Sequence, residues 1–404
     1  MSMVRERLST AGARSAHARW DDLMIRVRTA AQVAAANADA VDASGHFPAD
    51  AFAEIRKQNL LGIMVPAALN GEGVNLADIV DACFVLGQAC SSTALIYAMH
   101  QVKVACIVRH AKGSDALEAI LRRIAAEQLL LASSTTEGRS GGDVRSSEAA
   151  IERTGDAVTL ERDAAVISYA AAADGIVTTA RRSADAAGTD QVLLVLLKAD
   201  YALERHQSWE TLGMRGTQSE GFRLRATASA AQVLSDPYEK IHVQTMVPHA
   251  HLLWGAVWAG IATAATAKAQ AFIRHVARRS GGRTPPGAAH LTQCMASLRT
   301  LRAVLASALR DYETAAADEK SLASLEFQSM ITLTKVQASE LAVTVVLGAL
   351  RACGLSGYRN DGEFSIGRLL RDVLSAPLMI SNDRILSSLA TTSLMTPLPG
   401  SIPT

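Results

Sequence analysis

The chain has 404 residues, which is long enough for two or three domains and excludes a single small module. Hydrophobic residues make up 49% of the chain and charged residues 20%, a composition that supports large buried cores and shows no sign of disorder. The 40 Lys and Arg nearly balance the 39 Asp and Glu, and the net charge of +1 excludes a general binder of nucleic acids or anionic membranes.

The cysteines and the apolar segments indicate the compartment. The five cysteines are scattered and contain no CxxC pair, which argues against a disulfide framework and against a zinc site. The first 25 residues carry charges where a secretory signal needs an apolar core, and His251 and Lys268 interrupt the apolar run 250–271. We therefore expect a cytoplasmic protein with no membrane span and no metal.

The periodicity of apolar residues changes twice along the chain. Residues 1–128 repeat apolar positions at helical spacing, residues 129–236 show short β-type runs between turns, and helical spacing returns over residues 237–404. This order predicts a mainly α protein with an N-terminal helical domain, a small, mostly antiparallel β domain or barrel, and a C-terminal four-helix bundle. The three ranges are the predicted domains.

Two short patterns resemble known functional motifs but lack what the chemistry of those motifs requires. Residues 138–142 fit the G-x-S-x-G of serine hydrolases, but that elbow needs an alternating strand and helix order that is absent here. His249 and His251 are two residues apart, so on a helix they point in different directions and cannot easily share a metal ion.

Three other segments carry more information through their order and spacing. They are residues 131–143 (LASSTTEGRSGGD), residues 212–222 (LGMRGTQSEGF), and residues 354–358 (GLSGY) followed by residues 369–372 (LLRD). Together they resemble the acyl-CoA dehydrogenase family of flavoproteins over roughly residues 20 to 395. The resemblance implies the same three-domain architecture, usually assembled as a homotetramer or homodimer.

The resemblance also implies FAD as the cofactor. Hydroxyls and backbone N–H groups at a strand end suit the edge of a flavin ring, and guanidinium groups suit a pyrophosphate. Arg278 and Arg279 stand where the family places an arginine on FAD held by a neighbouring subunit. The cofactor residues implied by position in the family motifs are Ser134, Thr135, Thr136, Ser168, Arg278, Arg279, Arg351, Gly354 and Asn382. The implied substrate residues are Ser140 and Gly142.

The expected catalytic base is missing from its usual place. Dehydrogenation of an acyl thioester needs a carboxylate that removes the α proton, and the family commonly places a glutamate nine residues after the arginine of its R-D pair. Here that count from Arg371 reaches Ile380. A minority of the family takes its glutamate from the first bundle helix, near His249 and His251, so these two histidines are the candidate bases.

Three interpretations follow. The first is α,β-dehydrogenation of an acyl thioester, on CoA or a carrier protein, with hydride transfer to flavin N5 and an unknown electron acceptor. The second is a flavin monooxygenase or N-hydroxylase on the same fold, which needs no base for an α proton. The third is a catalytically silent family member that acts as a binding or assembly subunit.

Overall fold

The structure, a computed structural model, describes residues 2–111, 113–137 and 144–395, with side chains from residue 18 onward. The N-terminal part is helical, and polar caps begin two of its helices: the Asn75 side chain accepts from the amide of Asp78, and Ser114 accepts from Leu117. Its helices are α1 (Ser2–Ser44), α2 (Ala49–Lys57), α3 (Leu76–Ala89), α4 (Ser91–His110) and α5 (Asp115–Glu127).

The middle of the chain forms two small sheets. Sheet order is β1-β4-β5 in one and β2-β3-β7-β6 in the other, and every pair is antiparallel except β1 with β4, which is parallel. The strands are β1 (Leu131–Ser134), β2 (Ile151–Thr154), β3 (Ala157–Ile167), β4 (Gly175–Arg181), β5 (Gln191–Leu197), β6 (Tyr201–Gln207) and β7 (Glu220–Ser229). The mostly antiparallel sheet domain is therefore confirmed, with one parallel pair.

The C-terminal part is helical again. The long helices α7 (Val247–Arg279), α8 (Ala288–Ala315) and α10 (Leu325–Cys353) pack on one another, and α13 (Asn382–Met395) packs on α10. Shorter elements connect them: α6 (Tyr238–Ile241), a π-helical turn (His242–Met246), α9 (Glu319–Ala323), α11 (Leu355–Tyr358) and α12 (Gly367–Val373). The predicted class and domain order are confirmed.

Two helical stretches are long and apolar enough to pass a composition test for membrane spans. They are Tyr238–Arg279, whose most apolar window is 78% buried inside the protein, and Leu325–Cys353, whose window is 50% buried. Core helices of a bundle have this composition because their neighbours surround them. The predicted domain boundaries fall between α5 and β1 and between β7 and α6; the division into three domains stays a prediction.

A loop of the β domain is fastened to the C-terminal helices. The amide of Met214 donates to the buried carboxylate of Asp372 at 2.7 Å, and burial raises the pKa of that carboxyl. Gly213 passes so close to α12 that a Cβ there would lie 2.2 Å from the carbonyl oxygen of Arg371. This contact brings the loop 209–219 and the segment 371–380 together around a cavity.

Candidate active site

The main cavity lies between the end of β1, helix α4, the loop 209–219 and the segment 371–380, and has a volume of about 560 Å³. That volume is typical of cofactor and ligand sites. Its apolar walls include Leu95, Met99, Val166, Trp209, Leu212 and Trp254.

Strand alternation decides which hydroxyls of β1 reach this cavity. Ser133 lines it, and Thr135 and Thr136 line it just beyond the strand end. Ser134 is fully buried on the opposite face, and its Oγ has no hydrogen-bond partner in the described part of the chain. Successive side chains of a strand point to opposite faces, so the predicted site residue Ser134 is replaced in the lining by its neighbour Ser133.

A chain of hydroxyls crosses the wall formed by β3 and the loop 209–219. Ser168, directly after β3, lies with its Oγ 2.7 Å from Ser219 Oγ, which is 2.9 Å from Thr217 Oγ1. Thr217 donates its proton to the carbonyl oxygen of Met214 at 2.8 Å. A hydroxyl has one proton, so Ser219 donates to Thr217 and Ser168 donates to Ser219. Ser168 therefore offers lone pairs to the cavity.

Ile380, at the position of the family's usual glutamate, lines the same cavity. Its φ is 49°, in the left-handed region that β-branched residues rarely adopt. Lys335 Nζ donates to its carbonyl oxygen at 2.9 Å and to Asn382 Oδ1 at 2.7 Å. The Nδ2 atom of Asn382 donates to the Glu340 carboxylate at 2.7 Å. These contacts hold the Asn382 side chain behind the cavity wall, and it does not line the cavity.

A smaller chamber of about 100 Å³ adjoins the main cavity, and we call it the rear chamber. The two share Met99, Ser133, Thr135, Trp254 and Ile380. The rear chamber extends from this shared wall to the π-helical turn and the start of α7.

Only one of the two candidate bases lines either cavity in the described part of the chain. His251 lines the rear chamber with Nδ1 3.1 Å from the carbonyl oxygen of Ile331. That oxygen can only accept, so Nδ1 carries the proton and Nε2 keeps its lone pair. His249 bonds the carbonyl of Thr245 at 2.8 Å and packs edge-on against Tyr312. Burial lowers the pKa of His249 to about 4 and that of His251 to about 3.

Carboxylates do not occur among the described residues that line the main cavity or the rear chamber. The acidic residue just after β1, Glu137, is buried, and its carboxylate forms its contacts away from both cavities. Its carboxylate pairs with the buried Arg162 at 3.1 Å and accepts from the amides of Glu148 and Ala149. Glu137 therefore stabilises the interior of the β domain.

Two family models match the chain. The description "Acyl-CoA dehydrogenase, N-terminal domain" covers residues 23–128, and "Acyl-CoA dehydrogenase, C-terminal domain" covers residues 242–380. The chain belongs to the acyl-CoA dehydrogenase family.

Relatives within this family differ in activity. The probable acyl-CoA dehydrogenase YngJ of Bacillus subtilis is 24% identical over 84% of this chain and 87% of its own. L-evernosamine nitrososynthase of a Micromonospora species is 27% identical over 84% of this chain and 81% of its own. The FMN-bound dibenzothiophene monooxygenase TdsC of Paenibacillus sp. A11-2 superposes with a TM-score of 0.82 at 17% identity, covering 93% of this chain and 98% of its own. The protein is a flavoprotein oxidoreductase of this family.

The main cavity fits the ring system of the flavin that such a family member carries. Apolar walls offer a bed for a flat ring, while Thr135, Thr136 and Ser168 offer hydroxyls at its edge. The indole N–H of Trp254 is buried without a partner among the described residues and borders the same space. Polar atoms that lack partners inside an apolar cavity are expected where a ligand supplies them.

Two of the residues predicted to bind the adenine dinucleotide part of FAD lie at the end of α7 that is remote from the main cavity. Arg278 and Arg279 are exposed at the end of α7, and a helical rise of 1.5 Å per residue separates Arg278 from Trp254 by about 36 Å. Arg351 is exposed at the end of α10, and Gly354 follows with a φ of 56°. These four residues cannot line the same chain's cavity. Ser140 and Gly142 lie outside the described residues.

Sequence reasoning missed several residues that the structure brings to the cavities. Thr217 and Ser219 were inside the segment 212–222 that carried the family resemblance, and their T-x-S spacing was the available signal. Lys103 gave no such signal, because an isolated polar group in an apolar helix is recognised only when its neighbours are known.

Proposed function

We propose that the protein is a flavin-dependent monooxygenase that inserts one oxygen atom into a small substrate. One observation carries the proposal: the position that holds the family's base is occupied by Ile380, and the described lining of both cavities contains no carboxylate. Acyl thioester dehydrogenation requires a base for the α proton, whereas oxygen insertion does not. The nitrososynthase and monooxygenase relatives support an oxygenase on this fold.

Bound reduced flavin would supply two electrons to dioxygen, so that one oxygen atom enters the substrate and the other leaves as water. The chain's own residues would hold the flavin ring and exclude water from it. Ser168, oriented as an acceptor by Ser219, would take a hydrogen bond from ring nitrogen N5, which carries hydrogen only in the reduced state. Met99 and Trp254, which line both cavities, would help to keep water away from the ring.

The proposed cofactor is FAD, shared between two subunits of a homo-oligomer. Within one chain the exposed arginines Arg278 and Arg279 are too far from the ring site to hold the same molecule, and Arg351 is not in the cavity lining. Guanidinium groups suit a pyrophosphate, so these arginines would serve FAD whose ring lies in a neighbouring subunit. If one chain alone holds the whole cofactor, FMN is the expected flavin and the arginines have no role in its binding.

Dehydrogenation of an acyl thioester on CoA or a carrier protein is the second candidate. A specific feature favours it: His251 lines the rear chamber and, with its proton on Nδ1, keeps a lone pair on Nε2. The same burial that keeps this imidazole neutral lowers its pKa to about 3, which makes it a weak base for a carbon acid. For this reason we place oxygenation first.

Two parallel assays separate the candidates. In the first, flavin-loaded protein is mixed anaerobically with short, medium and branched acyl-CoA thioesters while the flavin absorbance is followed. In the second, reduced FAD is supplied in air with amines, aromatic heterocycles and carboxylates while oxygen uptake is measured. We expect substrate-dependent oxygen uptake and no bleaching; bleaching by a thioester without oxygen uptake would establish dehydrogenation instead.

A further inference from the structure

The rear chamber contains a cation that has no counter-charge among the described residues. Lys103, on α4, is only 4% exposed and lines this chamber. Its ammonium group reaches the sulfur of Met246 at 3.5 Å, and no carboxylate in the described part of the chain pairs with it. Burial lowers the pKa of Lys103 to about 8, which still leaves the group largely protonated at neutral pH. A buried ammonium is costly unless an anion joins it.

Two hydrogen-bond donors in the rear chamber, the Lys103 ammonium and the Tyr238 hydroxyl, share one weak acceptor. The hydroxyl of Tyr238, which is 2% exposed, donates to the same Met246 sulfur at 3.2 Å. A thioether is a weak acceptor, and here it receives two strong donors. The indole N–H of Trp254 borders the chamber and has no partner among the described residues. The three groups would be better satisfied by an oxyanion.

The chamber borders a further pocket besides the main cavity. Tyr238 and His242 also line this outer pocket of about 510 Å³, whose wall carries Arg145, Asp190 and Glu239. Met246 ends the π-helical turn that begins at His242, an irregular element that often marks functional sites. An anion bound in the chamber would take the place of the Met246 sulfur as the acceptor for its two donors.

We propose that the rear chamber binds the carboxylate of a small substrate between Lys103 and Tyr238, with the rest of the molecule directed toward the shared wall of the main cavity. This inference rests on the proposed function, because it names the substrate class of the same site. One ammonium charge matches a monoanionic carboxylate. A chamber of about 100 Å³ suits a ligand of benzoate or hexanoate size and leaves no space for a nucleotide carrier.

Equilibrium binding tests the proposal without turnover. Benzoate and hexanoate are titrated into flavin-loaded protein by calorimetry, each beside its neutral amide, benzamide or hexanamide. We expect the carboxylates to bind more tightly than the amides. Lys103→Met should weaken carboxylate binding about 10- to 100-fold and leave amide binding unchanged, as expected for loss of a hydrogen bond to a charged group. Lys57→Met, at an exposed lysine, is the matched control.

A second variant guards against failure of Lys103→Met to fold. Tyr238→Phe removes one hydroxyl and should weaken carboxylate binding about 3- to 10-fold. The proposal is overturned if the wild type does not prefer carboxylates to amides, or if either folded variant keeps the full preference. Binding that depends on Lys103 in a protein that consumes no oxygen would refute the oxygenase function alone. Oxygen uptake with uncharged substrates only would refute the carboxylate site alone.

Discussion

The ammonium group of Lys335 donates a 2.9 Å hydrogen bond to the carbonyl oxygen of Ile380, and this contact holds the Ile380 backbone in the wall of the main cavity. Lys335 is fully buried inside the bundle, where its ammonium also lies over the ring of Trp258 at 5.7 Å. A left-handed conformation costs a non-glycine residue about 1–2 kcal/mol. Lys335 therefore stabilises a strained segment that presents an isoleucine to the main cavity.

Removing that ammonium should destabilise the protein. Lys335→Met leaves the Ile380 carbonyl and the Asn382 side chain without their buried donor, and we expect the free energy of unfolding to fall by about 2–3 kcal/mol. Urea denaturation of the flavin-loaded protein measures the change. Lys320→Met, at an exposed lysine of α9, is the control and should leave the stability unchanged. Equal stability of Lys335→Met and the wild type would contradict the role assigned to Lys335.

Introducing a carboxylate at Ile380 should introduce the missing base. With Ile380→Glu we expect anaerobic bleaching of the bound flavin by acyl-CoA thioesters at a rate about 10² to 10⁴ times that of the wild type, the usual contribution of a positioned base. The control Ile380→Gln is nearly the same size and has no basic carboxylate. A wild type that already bleaches as fast as Ile380→Glu would mean that another group removes the proton.

The hydroxyl chain predicts an effect on the flavin's reduction potential. Ser168 is oriented to accept a hydrogen bond from reduced N5, so Ser168→Ala should destabilise the reduced form by about 0.5–1.5 kcal/mol. For a two-electron couple this lowers the potential by roughly 10–30 mV. Spectroelectrochemistry of the bound flavin provides the value, with Ser183→Ala in an exposed turn as control. An unchanged or raised potential would contradict the placement of Ser168 at the edge of the flavin ring.

The shared-cofactor proposal predicts a selective loss of FAD. Arg278→Ala combined with Arg279→Ala should weaken FAD binding about tenfold or more, because charge-assisted contacts to the pyrophosphate are lost, while FMN binding stays the same. Fluorescence titration with each flavin measures both affinities. Arg122→Ala combined with Arg123→Ala, on the exposed face of α5, is the matched control. Equal FAD affinity in the double variant and the wild type would discard the pyrophosphate assignment.

Buried histidines predict how stability depends on pH. Burial lowers the pKa of His100 and His249 to about 4 and that of His251 to about 3, below the usual 6.5. Between pH 6.5 and 4 the unfolded chain binds protons that the folded protein does not, so stability falls as the pH falls through this range.

His249→Gln should reduce that slope by about 1 kcal/mol per pH unit, since one such group contributes up to about 1.4. The measurement is the free energy of unfolding at several values of pH from 7 to 4. His206→Gln, at an exposed histidine, should keep the wild-type slope. If His249→Gln keeps it too, the imidazole of His249 is not the neutral, buried group described above.

The fold was predictable because it depends on periodicity, and periodicity is a property of the sequence. Apolar spacing and turn residues were enough to predict the three-part order. The segment 212–222 carried the family resemblance but was not predicted to line the cavity, where the structure places it. The parallel pairing of β1 with β4 was not predictable, since it joins strands separated by two others. Residues from distant segments meet there only after folding.

The site was predictable only in part, for reasons that particular residues make clear. Thr135, Thr136 and Ser168 line the main cavity, as the motif positions suggested. Ser134 does not, because a single step along a strand reverses the face. The partners of Asn382 depend on packing between α10 and α13, and the surroundings of Lys103 depend on packing of α4 against the π-helical turn. No spacing within the sequence encodes those contacts.

The most direct test of the central claim is the fate of labelled dioxygen. Protein, reduced FAD and a compound that stimulates oxygen uptake are incubated under ¹⁸O₂, and the product is analysed by mass spectrometry. A monooxygenase must give a product with one ¹⁸O atom from the gas. An unlabelled product that has lost two hydrogens would contradict this account and establish a dehydrogenase.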